Sequence, residues 1–192
     1  MTIKNNRSLP AISGLLCALA LAGCSIHASK DGEKNKDVDI RSPFGSISVH
    51  EGSTEAKDLG LPMYPGARPS KGHNSDTDSA NVNISSPLFE VKVVVRNFET
   101  DDPPDKVLDF YQKPMGKFGK VIQCSGGSSG GFHHHDKDAP VSCDSSGHDY
   151  EKELKVGTEN NQHVVVVKPR GKGSEFTLVY VRAREGEDKD TI

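Results

Sequence analysis

The sequence predicts an α+β fold: an antiparallel sheet of about five or six strands with one helix packed on one face, preceded by a flexible tether. Three observations support this. Apolar and polar residues alternate with period two over much of residues 82–184, a single helical pattern begins after Asp102, and residues 24–37 are almost entirely polar. Period-two alternation is typical of strands in a sheet, whereas a polar stretch has too few apolar side chains to pack.

The N-terminus carries a short export signal. Lys4 and Arg7 precede an apolar run over residues 9–22, which is too short to span roughly 30 Å of hydrocarbon as a helix. The run ends in Leu-Ala-Gly-Cys at Cys24, and this ending resembles the lipobox of bacterial lipoproteins. The resemblance implies that residues 1–23 are a signal peptide, cleaved after Gly23, and that Cys24 carries a diacylglyceryl thioether and an acylated amine. A secreted protein with a chance cysteine is the alternative.

Lipid on Cys24 would fix the location of the chain. Two or three acyl chains on one residue anchor a protein stably, whereas a single chain binds only marginally. In lipoproteins of cells with two membranes, Asp after the lipidated cysteine favours the inner membrane. Ser25 therefore indicates the periplasmic side of the outer membrane if the cell has two membranes.

Composition agrees with an exported domain and argues against a nucleic-acid partner. The chain has 24 basic and 27 acidic side chains, and loss of Lys4 and Arg7 with the signal leaves an acidic excess without a basic patch. Only 33% of residues are hydrophobic, and 19 Gly and 11 Pro interrupt them. Such a chain builds one modest core, of about 100 residues.

A short repeat follows the tether. Residues 38–49 recur as residues 82–93, and each copy alternates, breaks at Ser-Pro and alternates again. This pattern predicts two similar hairpins with Pro43 and Pro87 in their turns, because proline cannot donate to a strand ladder; coincidence between short β-patterns is the alternative. Residues 38–81 are thus predicted to be a hairpin, a Pro-rich extended segment and a polar loop.

The Pro-rich segment, residues 59–69, is apolar for a connector. We expect it to lie across its own domain and to bury Leu61, Met63 and Tyr64, since an exposed run of this kind would be a sticky patch. The alternative is a ligand for an aromatic groove of another protein.

The main domain is predicted to span residues 82–184, followed by a disordered tail at 185–192. Asp102 is the predicted N-cap of the helix, and Pro114 should kink or end it near Lys113. One face of the helix combines the apolar residues Val107, Leu108, Tyr111 and Met115. The Val-Leu-Asp-Phe-Tyr run in this helix resembles small extracytoplasmic bacterial lipoproteins of unassigned function, in which such a helix packs on an antiparallel sheet. That resemblance implies a fold and not an activity.

Cysteine use indicates one disulfide. Cys17 leaves with the signal and Cys24 takes lipid, so Cys124 and Cys143 remain as a pair in an oxidising compartment. A thiolate metal site is the alternative interpretation of this pair.

The Gly-, Ser- and His-rich loop at residues 125–150 contains the residues that most invite a chemical role. His133, His134, His135 and His148 are potential ligands for Zn²⁺, Cu²⁺ or Ni²⁺, but their spacing matches no closed site, and a hydrated loop is the competing hypothesis. Residues 126–130 match the Gly-x-Ser-x-Gly motif of hydrolases, although the strand, helix and large parallel sheet that this motif requires are absent from the pattern.

The sequence therefore predicts a lipid-anchored extracytoplasmic protein without catalytic activity. We expect a binding or envelope-assembly module with no cofactor, whose partners are the membrane, through the lipid, and an envelope protein. The alternative is metal capture through the four histidines of the loop.

Overall fold

One antiparallel sheet contains most of the described residues. The computed structural model describes residues 24–31, 35–52, 56–71, 78–125, 138–143 and 151–185. The strands are β1 (Ser25–Asp31), β2 (Asn35–Ser42), β3 (Gly45–Glu51), β4 (Arg68–Pro69), β5 (Ser79–Ser85), β6 (Phe89–Thr100), β7 (Ile122–Ser125), β8 (Lys152–Thr158), β9 (Asn161–Arg170) and β10 (Gly173–Glu185). The helix α1 spans Pro104–Met115, and 3₁₀-helical turns span Ala56–Leu59 and Gly116–Phe118.

The strand order is β1-β2-β3-β5-β6-β10-β9-β8-β7, and β4 pairs with the end of β6. The predicted α+β fold with five or six strands is therefore wrong: within the described residues the sheet has ten strands, and with a single short helix the architecture is all-β in character. The prediction failed because it confined the main domain to residues 82–184. In the structure β3 pairs with β5, which joins that region to the long strand β6.

The stretch predicted as a tether, residues 24–37, contains β1 and the beginning of β2. Ile26 lies opposite Ile40 in the register of these strands, and Ala28 lies opposite Val38. A strand with one face in water needs apolar residues on its other face only, and its backbone groups are satisfied by the neighbouring strand. Two apolar side chains in β1 are too short a pattern to indicate a strand.

The two repeated stretches are neighbouring hairpins, β2–β3 and β5–β6. In each turn a serine hydroxyl accepts a backbone N–H: Ser42 accepts from Phe44 at 3.2 Å, and Ser86 accepts from Phe89 at 3.0 Å. The two hairpins approach each other closely beside their turns. A Cβ atom added at Gly45 would lie only 2.4 Å from the Ser85 carbonyl oxygen. Only glycine permits this contact between the hairpins.

The helix buries the predicted face, composed of Val107, Leu108, Tyr111 and Met115. Its ends differ from the prediction. Pro103 occupies the N-cap position without a side-chain cap, and the helix continues past Pro114 to Met115, with the Gly116 N–H donating to the Gln112 carbonyl. Pro114 cannot donate to the Phe110 carbonyl, but only Met115 follows it in the helix, so the disturbance that proline causes falls at the end of the helix.

The core lies between α1, the segment that ends at Tyr64, and one face of β6, β8, β9 and β10. Leu61 and Tyr64 are buried as predicted, whereas Met63 is 50% exposed. The remaining members of the core are Leu59, Val94, Phe98, Val107, Leu108, Tyr111, Met115, Leu154, Val156, Val165, Val167, Phe176 and Leu178.

Candidate functional site: an open aliphatic sheet face

The side of the sheet away from α1 carries a continuous aliphatic surface, which we call the open face. Strand register places its side chains in three rows that run across the strands. The first row is Ile26, Ile40, Ile47, Ile84, Val91 and Ala183; the second is Ala28, Val38, Val49, Val82, Val93 and Val181; the third is Ala80, Val95, Val179 and Val164, with Val166 beside it.

The rows arise because several strands alternate with the same phase. In a strand successive side chains point to opposite faces, and directly paired residues share a face. Val82 pairs with Val93 on one side and with Val49 on the other, so each new strand extends the same row. β-branched residues such as these favour strands and pack well on a pleated surface.

None of the side chains of the open face is buried by the part of the chain that the structure describes. Ile47 retains 41% of its accessible surface, Ile26 retains 71% and Ala28 is also exposed; the other side chains are partly covered by their neighbours in the sheet and partly exposed. A contiguous apolar patch of this kind is unusual on a monomeric soluble protein and marks an interaction surface.

The opposite side of the same strands is polar. His27, Asp39, Ser48 and Asn83 lie in one transverse row there, and the row continues to Lys92. The first four strands of the sheet order, β1, β2, β3 and β5, therefore place their apolar side chains on the face that α1 does not cover.

One border of the open face is closed by the cysteine pair. Cys124 lies opposite Glu153, and its Cα is 5.5 Å from the Cα of Cys143, a distance compatible with the predicted disulfide. Beside the pair, the buried Lys155 ammonium lies 3.5 Å from the Glu153 carboxylate. Lys155 also donates to the Ser142 carbonyl at 3.5 Å, which holds the loop end against the sheet.

The other end of the strands carries exposed apolar hairpin tips beside Cys24. Phe44 is 81% exposed and Leu88 is 73% exposed, and both lie in turns. Ser25 pairs with Arg41, immediately before the first turn, so Cys24 lies at the same end of the sheet. An open groove of about 610 Å³ lies between the two tips and is lined by Pro43 and Pro87.

Polar groups on the helix side are engaged in structural contacts. The Tyr64 hydroxyl donates to Asp102 at 2.9 Å, and the Lys106 ammonium donates to the same carboxylate at 2.9 Å. Burial raises the pKa of Tyr64 to about 12, and its hydrogen bond to Asp102 acts in the same direction. The hydrogen bond from Lys106 and then that from Tyr64 lower the pKa of Asp102. This network fastens the Pro-rich segment to the beginning of α1.

His163 is buried between two rings on the helix side. Its ring centroid lies 3.9 Å from that of Phe118 and 4.7 Å from that of Tyr180. Burial lowers the pKa of His163, and a hydrogen bond to the backbone of Leu59 opposes the shift. The imidazole is therefore a neutral core side chain at neutral pH.

The residues that the sequence singled out do not form one site. Cys24 has a free, exposed thiol in the structure, and Cys124 and Cys143 lie together far along the sheet. The proposed metal ligands His133, His134, His135 and His148 lie outside the described residues, as does the Gly-x-Ser-x-Gly match. The described ranges contain no group of three or more His, Cys, Asp or Glu side chains that could hold a metal ion.

Sequence reasoning missed the open face, although its signal was present. The pairs Ile26/Ala28, Val38/Ile40 and Ile47/Val49 all alternate in the same way as Val82/Ile84. Comparing these short patterns would have suggested one shared apolar face. Among the helices that the structure describes, none is long and apolar enough to cross a membrane.

Comparisons with known proteins add no relative from which a role could be transferred: no protein-family model, no curated protein and no solved structure matches this chain.

Proposed function

We propose that this chain is a lipid-anchored, non-catalytic binding module of the cell envelope, with the open face as its binding surface. The observation that carries the proposal is the set of three aliphatic rows, which includes Ile47 and Val93 and has no charged side chain within it. Water contact with such a surface is unfavourable by about 25 cal/mol per Å², so a partner that covers it gains this free energy.

Anchoring through Cys24 is supported by the geometry of the hairpin tips. Phe44 and Leu88 project from the same end of the sheet at which Cys24 begins the described chain. Apolar side chains at this end suit the boundary between lipid headgroups and acyl chains, where aromatic rings are favoured. The strands would then stand away from the membrane and present the open face sideways.

The anchor is tested by metabolic labelling with an alkyne fatty acid in a bacterial host. The full chain should incorporate label and fractionate with membranes, and Cys24→Ala should lose both properties. Equal labelling of the two proteins would contradict acylation at this residue.

The binding surface is tested by a photo-crosslinking amino acid placed at Ile47 in the full chain, with the adjacent Ser48 on the opposite face as the matched control. We expect a discrete adduct from position 47 and none from position 48. The adduct should disappear when Val93→Lys introduces a charge into the open face. Equal crosslinking from both positions would contradict a binding role for this face.

A further inference from the structure

We infer that the occupant of the open face is a second copy of this chain, stacked face to face into a two-sheet sandwich. This inference rests on the proposed function, since it names the partner of the binding surface defined above. It follows from the area, the chemistry and the symmetry of the face.

The area of the open face reaches the lower limit expected of a biological interface. Strands lie about 4.8 Å apart, and side chains on one face of a strand repeat about every 6.8 Å, so each residue of the face occupies about 33 Å². The residues of the three rows then cover roughly 550 Å² per copy, or roughly 1,100 Å² in a pair, which exceeds the roughly 1,000 Å² expected of a biological interface. Corrugation of the side chains makes the buried accessible surface larger still.

The chemistry of the open face matches the inside of a β-sandwich. Sandwich cores are built from alternating inward side chains of two sheets that stack about 10 Å apart. The rows consist only of Ile, Val and Ala, and charged residues stand at their boundary, with Glu51 opposite Ala80 and Lys155 opposite Val164. The rows themselves therefore bring no charges together when the face is placed against a copy of itself.

A lipid occupant is favoured less. Protein surfaces that lie in the membrane interface combine apolar residues with aromatic rings and with Lys or Arg beside them. On this molecule the exposed rings Phe44 and Phe89 lie at the hairpin end, and the three rows contain neither rings nor basic side chains. Membrane contact thus fits the tips, and sheet stacking fits the face.

The anchor selects the symmetry axis. A face-to-face dimer has a two-fold axis that lies between the sheets, either along the strands or across them. If both copies are anchored through Cys24 in one membrane, both hairpin ends must point the same way, and only the axis along the strands satisfies this condition. With β1 and β9 at the outer limits of the open face, the middle strand is β5. The axis therefore passes over β5, and Val82 of one copy faces Val82 of the other.

A single-cysteine crosslinking experiment tests this arrangement in the full, anchored chain. Val82→Cys introduces one thiol at the centre of the open face, and Asn83→Cys introduces it on the opposite side of the same strand as the matched control. Cells that produce each variant are treated with a short, permeable bis-maleimide, and the product is sized by immunoblot. In parallel, both thiols are titrated with a small water-soluble maleimide.

We expect a covalent dimer from the Val82→Cys chain, little from the Asn83→Cys chain, and slow maleimide labelling at position 82. Dimers of equal yield from both variants would indicate unspecific association and would overturn the inference. No dimer after the thiol at position 82 has reacted slowly to completion with the bis-maleimide would mean that a different occupant covers the face; the dimer would be excluded and the binding surface would stand. No dimer, with rapid labelling at position 82, would exclude both the dimer and the binding surface.

Discussion

The two halves of the sheet use the same alternating pattern with opposite outcomes. In the covered half, the second part of β6 together with β10, β9 and β8 places Val94, Phe98 and Leu178 beneath α1, where each is fully buried. In the open half, β1, β2, β3 and β5 place their aliphatic residues on the other side, away from the helix. Alternation therefore defines two faces for each strand, and the helix decides which of them becomes the core.

The long strand β6 joins the halves and contains both outcomes. Val91, Val93 and Val95 belong to the open face, whereas Val94 and Phe98 on the alternate positions belong to the core. The stability of the isolated chain should then depend on the core beneath α1, and its associations on the open face, to which β9 and β10 also contribute.

The largest difference between the halves is expected from truncation of core and face residues. Phe176 is 1% exposed and its ring stacks on Phe98 with centroids 5.3 Å apart, so Phe176→Ala should lower the free energy of unfolding by about 3–5 kcal/mol. Ile47→Ala, at a position 41% exposed, should cost less than about 1 kcal/mol, because little packing is lost. Urea denaturation of both variants measures the difference, and similar losses would contradict the division into halves.

The disulfide should contribute the next largest effect. Cys124 and Cys143 are separated by 19 positions, and closing a loop of this length restricts the unfolded chain by about 3 kcal/mol in the chain-entropy model. Replacing both cysteines with serine should therefore lower stability by about that amount in oxidising buffer. Addition of a reducing agent should destabilise the parent protein and leave the double variant unchanged; an unchanged parent protein would show that the bridge is not formed.

A smaller, pH-dependent effect is expected from His163 in the covered half. Its pKa is lowered in the folded state by burial, so the unfolded chain binds a proton more readily. The stabilisation from the neutral ring is present above the ordinary value of 6.5 and is lost as the pH falls below it towards the folded-state pKa. Thermal unfolding between pH 7 and pH 5 should show a falling midpoint, and His163→Phe should flatten that part of the profile. If the unfolding midpoint of the variant fell as steeply with pH, the pH dependence of stability would belong to other titratable groups.

The smallest effect on stability is expected at the hairpin tips of the open half. The chain has no tryptophan, so Phe44→Trp provides a single fluorescent reporter at a side chain that is 81% exposed, and stability should change by less than about 0.5 kcal/mol. When the lipid-bearing protein is placed in vesicles containing brominated lipids, this tryptophan should be quenched. Met63→Trp, an exposed position near the opposite end of β6, is the control. Equal quenching at both positions would contradict membrane contact by the tips.

The sequence was sufficient for elements whose pattern is local and strong. The buried face of α1, which includes Val107 and Tyr111, follows directly from helical spacing, and the cysteine pair follows from counting. The fold class was not recoverable in this way, because β1 contains only Ile26 and Ala28 as apolar members of its alternation. This strand is stabilised by its pairing with β2. A contact between strands does not require a strong apolar pattern within β1 itself, so the sequence of β1 does not indicate a strand.

The candidate site was hidden for a related reason. No single strand of the open face is remarkable, and the surface appears only when the register aligns Ile40, Ile47 and Ile84 in one row. The histidine loop is conspicuous because its composition is unusual over a few residues, whereas the open face is assembled from seven strands and has ordinary composition in each of them.

The start of β1 at Ser25 places the sheet directly after Cys24. If Cys24 is acylated as we propose, no linker separates the lipid from the first strand, and the sheet would lie directly at the bilayer surface. Strand β6, which begins at this end of the sheet, has 12 residues and spans about 40 Å. A long linker would let a domain search a wide volume, whereas a sheet anchored directly after Cys24 would meet its partners within a shell about 40 Å deep above the membrane.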